Sequence, residues 1–152
     1  MTPRTPRRPP TLADVAQARA EHGQLKELMR RHQESLIGFE LSNALGELEE
    51  FARRLRRHIR LEEDVLLPVY AGLGPFPRGS GAETFLTEHR RIEALTAEVL
   101  AAARGLSVGS ASRGGVVSLI EREAALKAFL ARHERREELS LLARVERRLE
   151  GL

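Results

Sequence analysis

Residues 55–67 read LRRHIRLEEDVLL, and residues 130–142 read LARHERREELSLL. Each stretch sets a histidine (His58 or His133) four residues ahead of a glutamate (Glu62 or Glu137), then a second glutamate and two leucines. Each is preceded in its own half of the chain by a shorter shared text, AEHGQLKEL around His22 and TEHRRIEAL around His89. The chain therefore reads as two similar halves, each a helix with Glu-His near its start and then a helix carrying the longer motif. Apolar residues recur at helical spacing through all four stretches, and no segment alternates with period two between turn signals. Two copies are too few for a solenoid, which needs at least three.

Outward from these stretches, the boundaries are readable. Thr11 followed by Asp14 offers an N-cap and a capping-box acid, and a first helix is expected from Thr11 to about Ser35. Gly38 and Ser42-Asn43 punctuate the chain before a second helix over about 43–69, with Pro68 placed to kink or stop it. GLGPFPRGSG at 72–81 is a loop, a third helix is expected over about 82–104, and GLSVGSASRGG at 105–115 is a second loop. A fourth helix should run from about Val116 to Leu149. The expected fold is all-α, an up-down-up-down four-helix bundle made of two similar helical hairpins. Residues 1–10, MTPRTPRRPP, are expected as a disordered Pro/Arg-rich arm, with 11–152 as one domain.

Composition narrows the function classes. A chain of 152 residues suits one hydrophobic core. It has no cysteine, which excludes disulfides, thiolate metal sites and cysteine nucleophiles. No run of 18 apolar residues is present, so no membrane span is expected, and the first ten residues lack a signal-peptide core; the expected location is cytoplasmic. Lys plus Arg number 25, all arginine except Lys26 and Lys127, against 22 acids. The arginines alternate with glutamates and aromatics are only 4%, so salt-bridged solvent faces are expected, not a nucleic-acid interface. No serine-histidine-aspartate order or phosphate-cradling glycine motif marks a catalytic residue.

The histidines carry the chemistry. At about 100° per residue, His22, His58, His89 and His133 each fall in the middle of their own helix's apolar stripe. Glu62, Glu93 and Glu137 each lie about 40° from the histidine four residues earlier. Burying such groups costs a few kcal/mol apiece unless they are paired or bound to cations. One such histidine would be an ordinary core residue, but four on four helices with three glutamates point to a metal site. Four imidazoles and three carboxylates exceed what one ion needs, and a carboxylate can bridge two. A nitrogen and oxygen set without sulfur suits iron, manganese or zinc. Other polar residues read as ordinary. His32, about 80° from His22, is expected to be partly exposed. Lys26 is expected to snorkel, and Glu63 and Glu138 to be surface charges or outer partners of a ligand histidine. Tyr70 and Gln33 are expected to serve core packing.

The order His, His-x-x-x-Glu, Glu-His, His-x-x-x-Glu over about 12–146 resembles the hemerythrin-like HHE cation-binding family. The resemblance implies a four-helix bundle around a non-haem di-iron centre, two iron ions with zinc or manganese as alternatives. Carried over, His22 and His58 would be terminal ligands of one iron and His89 and His133 of the other, with Glu62 and Glu137 bridging. Glu93 would be an additional ligand. Oxygen-carrying hemerythrins have a histidine where Glu93 stands and an aspartate five residues after the last-helix histidine, the position of Glu138. Those departures move the expectation from oxygen carriage toward iron handling, sensing, and peroxide or nitric oxide stress. The expected partners are metal ions and a small diatomic or peroxide ligand, in a monomer or homodimer; any enzymatic activity would be peroxide- or NO-directed redox chemistry. The alternative is a regulatory or interaction bundle with a structural zinc or single iron, and a third reading is a metal-free oligomerisation scaffold.

Overall fold

The first helix starts at the expected capping box. Thr11 is extended (φ −123°, ψ 165°), its hydroxyl accepts from the Asp14 backbone N–H, and the Asp14 carboxylate accepts from the Thr11 N–H at 2.8 Å. Two donors that a helix start leaves open are thereby satisfied. The computed structural model describes residues 5–108 and 112–152. α1 spans Leu12–Ile37. α2 (Leu41–Leu61) continues through a π-helical turn, Glu62–Leu66, into α3 (Leu67–Tyr70). After the loop come α4 (Ala82–Val108) and α5 (Arg113–Arg136), the latter continuing through a second π-helical turn, Glu137–Leu142, into α6 (Ala143–Leu149).

These elements form four rods. α1 packs on α2, α2 on α4, α4 on α5, and α5 returns to α1, which is the up-down-up-down bundle. Among the described residues there is no strand, and no helix is long and apolar enough to cross a membrane. The loop expected over 105–115 is shorter than the sequence suggested, since α4 runs to Val108 and α5 starts at Arg113; residues 109–111 lie outside the described residues.

Of the segment expected as a disordered arm, residues 1–4 lie outside the described residues and residues 5–10 rest against the bundle. Arg8 grips Asp14 through both terminal nitrogens at 2.7 Å, which holds the Asp14 carboxyl down at about 2. The Arg7 N–H donates to the Asp64 carbonyl at 2.9 Å. That carbonyl is free because its helical partner four residues on would be Pro68, which has no N–H.

Burial along the rods follows one rule. In α1 the inward positions are 15, 18, 22, 25, 29, 32 and 36; in α2 they are 44, 48, 51, 55 and 58, and the row continues to Glu62. In α4 they are 85, 89, 92, 96, 99 and 103. Steps of three and four alternate, the 3.5-residue period of a supercoiled bundle seam. This corrects one expectation. His32 is fully buried, because its ten-residue separation from His22 is three seam steps (three, four, three), whereas straight 100° rotation drifts off the seam. Its Nε2 lies 2.5 Å from Glu123 Oε2 and its Nδ1 2.6 Å from the Ala44 carbonyl. Gln33 Nε2 donates to the other Glu123 oxygen at 3.0 Å.

The apolar core is split in two. One cluster, including Leu25, Leu48, Phe51, Ile92, Val99 and Leu126, fills one end, and a second, including Val15, Leu66, Tyr70, Phe85 and Leu142, fills the other. Tyr70 belongs to that packing, its hydroxyl donating to the Ser80 carbonyl. Between the clusters lies a layer of buried histidines and glutamates.

The His32–Glu123 pair sets a test of the seam. Glu123→Ala strands a buried imidazole and should cost about 3–5 kcal/mol, whereas the double change His32→Leu with Glu123→Leu should be near neutral or stabilising. Urea unfolding of the two variants checks this.

Candidate metal centre

Each rod delivers its histidine to the same level of the bundle. His22, His58, His89 and His133 are at most 5% exposed, and Glu62 and Glu137 are fully buried, so water cannot satisfy these groups. Their polar atoms converge. Glu62 Oε1 lies 2.8 Å from His58 Nε2 and 3.6 Å from His89 Nε2. Glu137 Oε2 lies 3.0 Å from His133 Nε2 and 3.4 Å from His89 Nε2, while its Oε1 lies 3.3 Å from His22 Nε2. The imidazoles pair edge to face, His22 with His58 at 5.0 Å between centroids and His89 with His133 at 4.9 Å.

Two groups of donors result. One is His22, His58, Glu62 and Glu137; the other is Glu62, His89, His133 and Glu137. Within each group the ligand atoms all lie within 4.8 Å of one another, and both glutamates belong to both groups. Nε2 of His22 and of His58, both oxygens of Glu62 and Oε1 of Glu137 are buried and make no hydrogen bond. Buried orphans of that kind are rare and call for a reason. The fit to cations is direct: imidazole nitrogens and carboxylate oxygens, five of them without a hydrogen bond, face common points, and the donor set suits borderline metals.

A second ring of carboxylates aims the imidazoles. His58 Nδ1 meets Glu21 Oε2 at 2.7 Å, and His133 Nδ1 meets Glu88 Oε1 at 2.9 Å. His89 Nδ1 meets Glu63 Oε2 at 2.7 Å, and His22 Nδ1 meets Glu138 Oε1 at 2.9 Å. An Nδ1–H donated to a carboxylate leaves the Nε2 lone pair pointing at the metal position and makes it more basic. Each outer glutamate stands next in sequence to an inner donor: Glu21 before His22, Glu88 before His89, Glu63 after Glu62, Glu138 after Glu137. Both Glu-Glu pairs open or enter π-helical turns, and in each the first residue faces the centre while the second reaches a neighbouring rod. π turns recur at functional sites.

Electrostatics follow from the crowding of carboxylates. Burial alone would lower the histidines, yet Glu137, Glu134 and Glu138 outweigh it and raise His22 to about 9. His89 is raised to about 11, against its burial, by Glu137, Glu62 and Glu63. His58 and His133 also rise against their burial, mainly through Glu62 and Glu137 respectively. Burial pushes Glu134 up to about 7, although His22 and His58 pull it down.

Of the seven residues expected as ligands, the six His22, His58, Glu62, His89, His133 and Glu137 come together. Glu93 does not. It is exposed and ion-pairs with Arg90 at 3.4 Å, because the seam step after His89 is three, to Ile92, whereas after His58 and His133 it is four. Lys26 is likewise exposed, since the step after His22 is three, to Leu25. Glu63 and Glu138 are outer partners, one of the two roles the sequence allowed. Glu21, Glu88, Glu123 and Glu134 were not singled out from sequence. The signal for Glu21 and Glu88 was present, as the repeated Glu immediately before His22 and His89.

Two outcomes are expected. In the metal-free protein the histidines hold protons that a metal must displace, so metal affinity should rise with pH through neutrality. Their folded pKa values lie above the unfolded value of about 6.5, so the stability they contribute is present below that pH. It is lost as pH rises through about 9 for His22 and about 11 for His89. Thermal melts of metal-free protein from pH 6 to 10 check the sign. Removing an outer carboxylate, Glu88→Ala or Glu21→Ala, should weaken metal binding by about 10–100-fold with the fold retained, read by competition with a chromophoric chelator.

Compared with known families, residues 1–70 match the hemerythrin HHE cation binding domain. No curated protein and no solved structure matches the chain. The match spans His22, His58 and Glu62, and the second half repeats the same motifs onto the same centre. The chain is a helical bundle that resembles the hemerythrin HHE cation binding domain over its first 70 residues, with buried histidine and glutamate groups that could hold metal.

Proposed function

We propose that the chain is a non-haem di-iron protein that binds O2, peroxide or nitric oxide in sensing or stress response. The observation that carries this reading is the sharing of Glu62 and Glu137 by both donor groups. Two carboxylates common to two cation positions can hold the ions side by side and offset their mutual repulsion. His22 and His58 then serve one position, and His89 and His133 the other. Four protein donors per ion leave room in a six-coordinate sphere for an exogenous ligand. Two irons there would supply a shared electron change and an open coordination position.

The chain's own residues set the conditions. The outer carboxylates fix each imidazole's orientation and tautomer. Phe51, Leu55, Phe85 and Leu126, each at most 2% exposed, keep water from the centre; the Phe85 ring stands edge-on to His133 at 5.9 Å between centroids. Phe129, packed against the first core cluster, is only partly buried.

Protein purified anaerobically and loaded with Fe(II) should hold two irons per chain and develop a near-ultraviolet to visible band when air is admitted. His58→Ala with His133→Ala should abolish metal binding and lower the melting temperature of the loaded form only. Tight zinc with a silent spectrum, or loading unaffected by the double variant, would overturn the di-iron reading.

A further inference from the structure

The two long motifs differ at one position beside the centre. The residue after His58 is Ile59, and the residue after His133 is Glu134. Each stands about one helical turn before an outer carboxylate, Ile59 before Glu63 and Glu134 before Glu138. Glu63 holds His89 and Glu138 holds His22, so the two residues occupy matching places beside the two donor groups. Ile59 is 3% exposed and belongs to the apolar core. Glu134 is half-buried and lines the α1–α5 boundary together with Gly23, the neighbour of His22. Among the described residues it makes no hydrogen bond and no ion pair. A carboxylate drawn partly out of water without a partner is costly unless a counter-charge stands near. The strongest acting on Glu134 are the His22 and His58 imidazoles, ahead of that of His133.

The outer supports add to the difference. Arg90 lies against Glu63 and Arg136 against Glu88, so a guanidinium stands behind each carboxylate that serves His89 or His133. Among the described residues no arginine ion-pairs with Glu21 or Glu138, and Arg57 acts on Glu21 only from beyond ion-pair distance. Lys26 and Arg135 line the same boundary as Glu134 but are exposed, where water and salt screen them. One cation position therefore has an extra carboxylate beside it, and the other has two guanidiniums behind it, although both offer two imidazoles and share Glu62 and Glu137.

We propose that Glu134 makes the His22–His58 position the first to take a divalent cation, with the His89–His133 position filling second. The inference rests on the two-cation reading of the centre. An added negative charge in a half-buried setting stabilises the cation nearest to it more than the one farther away. The first cation then repels the second across Glu62 and Glu137, which widens the gap between the two affinities. The half-loaded chain, with its cation on His22 and His58, is thus a defined state. The cation on His89 and His133 is the one that exchanges, so occupancy there follows the metal supply.

Zn(II) is titrated at pH 7.5 into the metal-free full chain while the histidine ring resonances are followed by nuclear magnetic resonance. The rings of His22 and His58 should respond over the first equivalent and those of His89 and His133 over the second, with the second binding constant weaker by about tenfold or more. Glu134→Gln, which keeps the shape and removes the charge, should weaken the first constant by about tenfold and leave the second nearly unchanged, with the helical circular dichroism unaltered. Glu134→Ile, which copies the other half, should do the same. A first equivalent on His89 and His133, equal filling of both positions, or an unchanged ratio in both variants would overturn the proposal, as would no zinc uptake. Zinc that stops at one equivalent on His22 and His58 would end the two-cation reading while bearing out the preference.

Discussion

Six buried groups that could not share a core on their own terms dominate this bundle. Four imidazoles and two carboxylates occupy one layer with almost no access to water, and the apolar core is divided into two clusters around it. Such a layer is costly unless its charges are matched and its polar atoms satisfied. Without a cation, the match is made by protons: the histidines are raised, two of them to about 9 and about 11, and Glu137 is held well below the usual carboxylate range by His133, His22, His89 and its contact with Glu62, against its burial. Five inner atoms nevertheless stay without a hydrogen bond. Protons satisfy the charge but not the geometry; two cations would satisfy both.

The outer carboxylates make the layer a closed circuit. Glu21 on α1 holds His58, Glu63 beside α2 holds His89, Glu88 on α4 holds His133, and Glu138 beside α5 holds His22. Every rod thus orients the ligand of the next. The circuit is not symmetric in charge. Arg90 backs Glu63 and Arg136 backs Glu88, on the His89 and His133 side. Glu21 takes a hydrogen bond from neutral Gln17, and Glu138 stays exposed. The two donor groups therefore present the same donor atoms on differently charged supports.

How much was legible in the sequence turned on the phase of the seam. The fold class, the four rods, the capping box at Thr11 and six donors were readable, because the motifs repeat and helical periodicity is strong. Glu93 and His32 were misplaced for one reason. A single rotation of 100° per residue treats every position four residues on as equally inward, but the 3.5-residue seam alternates its steps. Four after His58 and His133 is on the seam; four after His89 and His22 is off it. Over ten residues the same drift made His32 look peripheral when it closes a buried pair with Glu123. Glu134 was not legible at all, since its raised carboxyl depends on packing between rods and not on a pattern along one.

The family match covers the first hairpin, yet the geometry shows that a first hairpin alone cannot complete either donor group. Residues 1–70 contribute His22, His58 and Glu62, and both groups also require Glu137. The outer ring imposes the same dependence: Glu21 acts within the first hairpin and Glu88 within the second, but Glu63 and Glu138 cross between them. Half of the supports and one shared carboxylate from each half are therefore exchanged. The sequence repeat between the halves follows from that reciprocity, because each half must supply the other with the donors it lacks.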